Sequence, residues 1–336
     1  MLLAGDLGGT TTRLGLFDAA TPRPELRAVH EFATLDHSGL APMVIEFLRQ
    51  NDVGPEVVDV AAIGVAGPVV GQTARLTNVP WPVSAAELRE QTGLARVELL
   101  NDAEAMALAV PVLRPDELAV IQAGTADPSG NALLLTVGTG LGVSFLHCVG
   151  GRLLPMPSEG GHGDFPSRTQ REIDLVRYLL TLYGRVDMER VVSGRGLANI
   201  ADFVHGGRCP LAPLDLDDAD YPAHVTTAAT QATCASCVDA FGLFLEAFGS
   251  VAGTMAIIAV ARGGVFIGGG IPPKILEPLG DGRFVQAFRS KPPMTDLLAH
   301  IPVSVVLDSR AGLLGAAVHA ATVPERDQPF GPFGRR

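Results

Sequence analysis

Three glycine-rich segments in this chain of 336 residues have the composition of phosphate-binding loops. Residues 6–10 (DLGGT) and 138–142 (GTGLG) each follow an apolar run and combine glycines with a hydroxyl side chain, and residues 268–270 (GGG) follow a third apolar run. Exposed backbone N–H groups bind phosphate oxygens, and glycine lets the backbone approach a ligand closely. Taken singly, each segment is an ordinary tight turn. Together they predict a cradle for a triphosphate.

The nucleotide-binding candidates in these segments are Asp6, Gly8, Gly9, Thr10, Thr11, Gly138, Thr139, Gly140, Gly268, Gly269 and Gly270. The chain has no G-x-x-x-x-G-K-[ST] motif, which excludes a P-loop enzyme. A strand-like run, Val143–Leu146, follows the second glycine segment where a dinucleotide-binding fold requires a helix. Asp6 supplies a carboxylate beside the first segment, where Mg²⁺ bridging two phosphates would be stabilised, through water.

Asp102 is the candidate general base. It follows a short apolar run and opens an alanine-rich helical segment, so its side chain stands at a strand-to-helix junction. Phosphoryl transfer to an alcohol requires a group that accepts the hydroxyl proton as the phosphoryl group arrives. The competing interpretation is structural, because either Asn101 or Asp102 is a good N-cap residue for the following helix.

Glu159, His162 and Glu189 are candidates for binding a polyhydroxylated substrate, because carboxylates are strong hydrogen-bond acceptors and histidine adds a donor. Gly160 and Gly161 would let the backbone pass close to such a substrate. The ordinary interpretation of Glu189 is a solvated helix residue paired with its neighbour Arg190.

The elements that must position these residues form a repeated pattern. Strand-like runs flank the first glycine turn (residues 2–5 and 13–17) and the second (residues 132–137 and 143–147), about one domain length apart. Helical periodicity dominates residues 170–261. The repeat and the chain length together favour two α/β domains with a cleft between them.

Composition narrows the class of protein. The formal net charge of −11 argues against a nucleic-acid or anionic-membrane partner. Residues 1–4 lead into the first turn without a basic region, which predicts a cytoplasmic address. Residues 240–261 are long and apolar enough to span a membrane. However, Glu246 near the middle and three glycines favour a buried core helix.

The four cysteines are too few for a disulfide scaffold in a chain of this length. Cys234 and Cys237 form a CxxC pair within an apolar, helix-like run. No second cysteine or histidine pair is recognised at zinc-finger spacing, so buried reduced thiols are the expectation, with metal or redox use as the alternative.

The order of these motifs resembles a known family. Residues 5–13 (GDLGGTTTR) resemble the first phosphate motif of the hexokinase, heat-shock-protein 70 and actin superfamily, residues 138–142 its second phosphate motif, and residues 268–270 its adenosine motif. Within that superfamily, residues 101–102 (ND), 159–165 (EGGHGDF) and 189–197 (ERVVSGRGL) are similar to the bacterial glucokinase family. The resemblance extends from Leu3 to about His319.

The resemblance implies a two-domain actin-like ATPase (ribonuclease H-like) α/β fold, with residues 1–101 plus 312–336 as the small domain and 102–311 as the large domain. It implies transfer of the γ-phosphoryl group of ATP to the 6-hydroxyl of glucose, Mg²⁺ as cofactor, and a homodimer. Asp102 would be the catalytic base. The implied sugar contacts are Asn78, Asn101, Asp102, Glu159, His162 and Glu189.

The chain departs from the family pattern at three positions. Many members have Asn-Ala where this chain has Thr11-Thr12, and an aromatic residue where it has Ala103. In related repressor and sugar-kinase families, a histidine at the position of His162 binds zinc with cysteines shortly downstream. The next cysteine here is Cys209, which favours sugar contact for His162.

Three other functions remain as alternatives. The first is a kinase for another hexose, such as mannose or fructose. The second is a non-catalytic sugar sensor on the same fold, which would need a DNA-binding extension that the sequence does not suggest. The third is an actin-like ATPase, for which Glu159, His162 and Glu189 would have no purpose.

Overall fold

The computed structural model describes residues 1–76, 79–156, 158–211, 215 and 218–323. The chain forms two compact units. Of the described residues, those within 1–112 and 310–323 form the first unit, and those within 113–309 form the second.

The elements of the first 112 residues are β1 (Leu2–Leu7), β2 (Thr11–Asp18), β3 (Glu25–Ala33), α1 (Leu40–Gln50), β4 (Val60–Val65), β5 (Val69–Val70), β6 (Thr73–Arg75), β7 (Pro82–Ser84), α2 (Ala85–Thr92), β8 (Val97–Asn101) and α3 (Asp102–Ala109). The second unit contains β9 (Leu118–Gln122), β10 (Ala132–Val137), β11 (Leu141–Val149), β12 (Arg152–Met156), α4 (Gln170–Tyr183), α5 (Gly194–His205), α6 (Tyr221–Thr230), α7 (Ala235–Ala259), β13 (Gly264–Gly268), α8 (Leu276–Leu279), α9 (Arg283–Arg289), α10 (Thr295–His300) and β14 (Val303–Val306). The last described helix is α11 (Ala311–Thr322).

The first unit is built on a five-stranded sheet in the order β3-β2-β1-β4-β8. β1 and β2 form an antiparallel hairpin, whereas β1, β4 and β8 run parallel. All six residues of β4 are buried because helices cover both faces of the sheet. Ile63 belongs to the core cluster that includes Phe47 of α1. Its neighbour Gly64 faces Ala105 of α3, as strand alternation requires.

Helix α3 belongs to the first unit, whereas the predicted domain boundary at residue 101 assigned it to the large domain. The physical reason is its close packing against α11. A Cβ on Gly315 of α11 would lie 1.6 Å from the carbonyl oxygen of Ala105. Only glycine permits this approach. Arg310 is the N-cap residue of α11.

The second unit contains a six-stranded sheet in the order β12-β11-β10-β13-β14-β9. β10 and β11 form an antiparallel hairpin, and β10, β13 and β14 run parallel. This repeats the β1–β2 hairpin with its parallel neighbour β4. The predicted duplication of strand, glycine turn and strand is therefore confirmed.

The long apolar segment forms α7, the one helix among the described residues with the length and composition to cross a membrane. In the structure, 78% of the most apolar 18-residue stretch of α7 is buried. A Cβ on Gly249 would lie 2.1 Å from the carbonyl oxygen of Phe284, and one on Gly253 2.3 Å from that of Phe288. The glycines thus let α9 pack against α7, as predicted for a core helix.

Candidate active site

The second glycine turn joins β10 to β11. The N–H of Gly138 donates to the carbonyl oxygen of Gly140 over 3.0 Å, and the N–H of Gly194 donates to the carbonyl oxygen of Gly138 over 2.8 Å. The latter bond brings the start of α5 against the turn. The N-cap Ser193 accepts from the N–H of Gly196 over 2.9 Å, which fixes the helix start. A helix N-terminus carries partial positive charge, so this arrangement suits an anion.

The third glycine run lies beside the end of β10. Gly269 adopts a φ of +93°, and a Cβ there would lie 2.4 Å from the carbonyl oxygen of Val137. The N–H of Ile271 donates to that same oxygen over 3.1 Å. Because β10 and β13 are parallel, their carboxyl ends share one edge of the sheet. The structure therefore brings the second and third glycine segments together.

Glu189 is held directly against the second glycine turn. Its Oε2 accepts from the backbone N–H of Leu141 over 2.9 Å. A Cβ on Gly140 would lie 2.5 Å from the same oxygen. Glu189 lies in a turn, and the neighbouring Arg190 guanidinium stacks 3.9 Å from the centroid of the Tyr183 ring. The interpretation of Glu189 as a solvated helix residue paired with Arg190 is wrong.

Glu159 immediately precedes a short 3₁₀ turn, Gly160–His162, that packs on β11, and His162 is the last residue of this turn. A Cβ on Gly161 would lie 2.0 Å from the carbonyl oxygen of Leu141, so this turn and Glu189 contact the same residue. The side chains of Glu159 and His162 are 66% and 53% exposed, with 4.0 Å between Oε2 and Nε2. Both polar side chains are therefore accessible to solvent in the second unit.

Asp187 was not predicted from the sequence as a site residue. Its Oδ2 lies 3.4 Å from Nδ1 of His162, and its Oδ1 accepts from the backbone N–H of Arg190 over 3.0 Å. Asp187 therefore helps to orient His162. Its position two residues before Glu189 was the available signal, but an isolated aspartate in a turn has no distinctive pattern.

The first glycine turn joins β1 to β2 in the other unit. The N–H of Gly8 donates to the carbonyl oxygen of Thr11 over 3.1 Å. Thr34 stabilises the turn, because its hydroxyl lies 2.9 Å from both the carbonyl oxygen of Gly8 and the hydroxyl of Thr12. Thr12 is fully buried. Thr12, at which the chain departs from the family pattern, thus supports the turn through its buried hydroxyl group.

Asp6 precedes the first turn and is 27% exposed. Burial raises the pKa of its carboxyl group, and Arg13, 3.8 Å away, partly opposes this effect. A Cβ on Gly312 of α11 would lie 3.5 Å from the carboxylate. The fold therefore disfavours the charged form of this carboxyl group.

Asn101, and not Asp102, is the N-cap of α3. Its Oδ1 accepts from the N–H groups of Ala103 and Glu104, and its Nδ2 donates to the carbonyl oxygen of Gly67 over 3.1 Å. Asp102 is the first helical residue and is partly exposed. Its Oδ1 accepts from the N–H of Ala103 over 2.8 Å. Capping by Asn101 fixes the backbone on which Asp102 stands.

Asp102 and the first glycine turn lie at the same edge of the first sheet. The parallel register pairs Leu7 with Val65 and Val65 with Asn101. Adjacent strands are about 4.8 Å apart, so the ends of β1 and β8 are about 10 Å apart. The carboxyl edge of a parallel sheet is the usual place for a ligand.

Each unit thus gathers its own group of predicted residues. The first contains Asp6, Gly8, Gly9, Thr10, Thr11, Asn101 and Asp102, and the second contains Gly138, Thr139, Gly140, Glu159, His162, Glu189, Gly268, Gly269 and Gly270. Asn78, the remaining predicted sugar contact, lies outside the described residues.

Comparison with solved structures defines the class as the actin-like ATPase fold of bacterial glucokinases and ROK hexokinases. A glucokinase from an Antarctic psychrotroph superposes with a TM-score of 0.81 at 30% identity, over 95% of this chain and 98% of that one. A ROK family glucokinase from Streptomyces griseus, solved in complex with glucose and AMPPNP, has a TM-score of 0.65 at 21% identity. This likeness covers 95% of the present chain and 98% of the Streptomyces one.

Sequence comparison identifies the family. The model of the glucokinase family matches residues 3–323. A glucokinase from Synechocystis sp. is 37% identical over an alignment of 345 positions, which covers 95% of this chain and 97% of that protein. The chain belongs to the glucokinase family.

Proposed function

We propose that this protein transfers the γ-phosphoryl group of ATP to the 6-hydroxyl of glucose, giving glucose 6-phosphate and ADP. The observation that carries the proposal is the shared sheet edge of Asp102 and the first glycine turn. A proton acceptor about 10 Å from the start of a phosphate-binding turn suits a reaction between a hydroxyl group and a terminal phosphate. Family membership supports the same reaction.

The nucleotide phosphates would bind at the glycine segments. In the second unit, the turn at Gly138–Gly140, the run at Gly268–Gly270 and the N-terminus of α5 converge, as shown by the hydrogen bonds that join them. In the first unit, the turn at residues 8–11 contributes backbone N–H groups and two threonine hydroxyls. The complex of the Streptomyces glucokinase with AMPPNP supports the binding of a nucleotide by the present chain.

Mg²⁺ fits the residues of the first unit. Asp6 offers a carboxylate whose pKa is raised by burial, so a nearby cation would relieve the cost of its negative charge. Mg²⁺ is commonly held by one or two carboxylates, several waters and substrate phosphates. When bound, the ion would neutralise charge on the transferring phosphates. Asp6 would hold it through water.

Asp102 would accept the proton of the 6-hydroxyl. It is partly exposed, and the helix start beneath it is fixed by the Asn101 cap. Glu189 and Glu159 would accept hydrogen bonds from other hydroxyls of the sugar, with His162 and Asn101 completing the set and Asn78 as a further contact. A hydrogen-bonded site of this kind discriminates strongly against sugars that lack a matching hydroxyl.

We also propose a cytoplasmic homodimer that supplies glucose 6-phosphate to glycolysis, without nucleic-acid or membrane partners. The net charge of −11 supports the absence of polyanionic partners. The family resemblance is the support for the dimer. Light scattering coupled to size-exclusion chromatography tests it directly, and a monomer at micromolar concentration would contradict it.

The test of function is ADP and sugar-phosphate formation from magnesium-ATP across glucose, mannose, fructose and no sugar. We expect glucose to give the highest kcat/KM, with one ADP released per glucose 6-phosphate. A higher kcat/KM for mannose or fructose would favour the other-hexose kinase. Sugar-independent ATP hydrolysis with polymerisation would favour an actin-like ATPase, and sugar binding without turnover would favour a sensor. Replacing ATP with other nucleotides or polyphosphate identifies the donor.

A further inference from the structure

Three of the four cysteines lie together with a histidine in the second unit. His205 is the last residue of α5, Cys209 follows in the next loop, Cys234 immediately precedes α7, and Cys237 lies in its first turn. One ligand atom from each residue falls within 4.8 Å of every other. The expectation that the CxxC motif has no second pair of metal ligands is wrong. His205 and Cys209, with three residues between them, are that pair.

The distances within this His205-Cys209-Cys234-Cys237 cluster fit tetrahedral coordination of one metal ion. The Cys237–Cys209 and Cys209–Cys234 sulfurs are 3.6 and 3.9 Å apart, and Nε2 of His205 lies 3.5 and 3.9 Å from the sulfurs of Cys237 and Cys234. Zn–S bonds of about 2.3 Å and Zn–N bonds of about 2.0 Å at tetrahedral angles require separations of about 3.8 Å (S–S) and about 3.6 Å (S–N). The four measured separations bracket these values.

The surrounding backbone holds the ligands in place. Cys209 and Cys237 are buried, whereas His205 and Cys234 are partly exposed, so the cluster lies at the edge of the core. The N–H of Cys209 donates to the hydroxyl of Tyr221 over 3.1 Å. Cys234 is the N-cap residue of α7, so it lies at the N-terminus of that helix. A helix N-terminus carries partial positive charge, which favours a thiolate ligand.

We propose that these four residues bind one Zn²⁺ ion in a structural site. Imidazole and thiolate are the ligands that zinc prefers, and four protein ligands leave no open position for catalysis. The ion would tie the end of α5 to the start of α7, two helices that are separated along the chain by α6. Because α5 begins against the second glycine turn, zinc would also stiffen the support of that turn. The site is independent of the proposed kinase activity.

The experiment is metal analysis of the purified full-length protein under reducing conditions. We expect about one zinc per chain in the wild type, and at least a tenfold lower content in Cys209→Ser and Cys237→Ser. Cys148→Ser is the matched control, because Cys148 lies on β11 outside the cluster and should leave the zinc content unchanged. His205→Cys keeps four ligands and should retain zinc, and it tests the site if the serine variants fold poorly.

Substitution of the metal by Co²⁺ tests the geometry. The wild type should give the intense visible d–d bands of tetrahedral Co²⁺ together with thiolate-to-cobalt charge transfer, and Cys148→Ser should give the same spectrum. Wild-type protein that is fully reduced yet binds neither Zn²⁺ nor Co²⁺ would overturn the proposal. Equal zinc content in the wild type and Cys209→Ser would also overturn it.

Discussion

The Glu189 carboxylate accepts a hydrogen bond from the backbone N–H of Leu141, with 2.9 Å between the two atoms. Leu141 is the first residue of β11 after the second glycine turn, so one bond joins a proposed sugar contact to a proposed phosphate-binding loop. The N–H of Glu189 donates in turn to the carbonyl oxygen of Gly161 over 3.0 Å. The position of Glu189 is therefore fixed from both its side chain and its backbone.

Replacing Glu189 should separate its binding role from its structural role. Glu189→Gln keeps an acceptor for the Leu141 N–H, so we expect an unchanged melting temperature and a glucose KM raised about tenfold, because a charged acceptor binds hydroxyls more strongly than an amide. Glu189→Ala should also lose about 1–3 kcal/mol of unfolding free energy, since the N–H loses its partner. Glu90→Gln, on the exposed surface of α2, is the control. A wild-type KM in Glu189→Gln would remove Glu189 from the sugar site.

Gly140→Ala should impair catalysis by displacing Glu189. The added Cβ would lie 2.5 Å from Oε2, and φ at Gly140 is outside the left-handed region, so the effect comes from contact and not from backbone strain. A displacement of about 1 Å in a site costs about 10²-fold, which we expect in kcat/KM for glucose. Gly39→Ala is the control, because its nearest neighbour atom would lie 3.8 Å away. Equal activity of the two variants would contradict the tight packing.

Asp6→Asn should stabilise the protein and weaken the enzyme. Burial holds the pKa of Asp6 above its usual value of 3.8, so the folded state disfavours the charged carboxylate more than the unfolded state does. Wild-type stability therefore falls as pH rises through the folded pKa, and the asparagine variant is spared this loss. Its advantage should be full at a pH above the raised pKa of the folded state and should disappear as the pH falls below the usual value of 3.8.

Chemical denaturation of Asp6→Asn without nucleotide or metal measures this difference, and kinase assays should show lower kcat with a higher Mg²⁺ requirement. Asp36→Asn, at an exposed position in the same unit, should change neither quantity. A destabilised Asp6→Asn at pH 7 would show that the carboxylate stabilises the folded state, contrary to the burial argument.

The sequence predicted the parts of this protein that depend on local pattern. The glycine turns, the flanking strands and the buried helix α7 follow from short-range composition, and the structure contains all three. The domain boundary does not depend on local pattern. α3 joins the first unit because Ala105 and Gly315, 210 positions apart in the sequence, pack backbone to backbone.

The hardest feature to predict from the sequence was which residues the site side chains contact. The bond from Leu141 to Glu189, the contact of Asp187 with His162 and the approach of His205 to Cys237 all join residues that are distant or unremarkable in the sequence. Asn101 and Asp102 were equal candidates for the helix cap. Only the hydrogen bonds of the folded chain show that Asn101 takes that role, with Asp102 at the first helical position.

The most direct test of the account is glucose 6-phosphate formation by Asp102→Asn under saturating magnesium-ATP and glucose. We expect kcat to fall about 10²–10⁴-fold, the usual contribution of a general base, with the glucose Kd and melting temperature close to wild type. The asparagine is isosteric and keeps an acceptor for the Ala103 N–H. Asp116→Asn, at an exposed position, is the control. Turnover by Asp102→Asn at the wild-type rate would contradict the assignment of Asp102 as the proton acceptor.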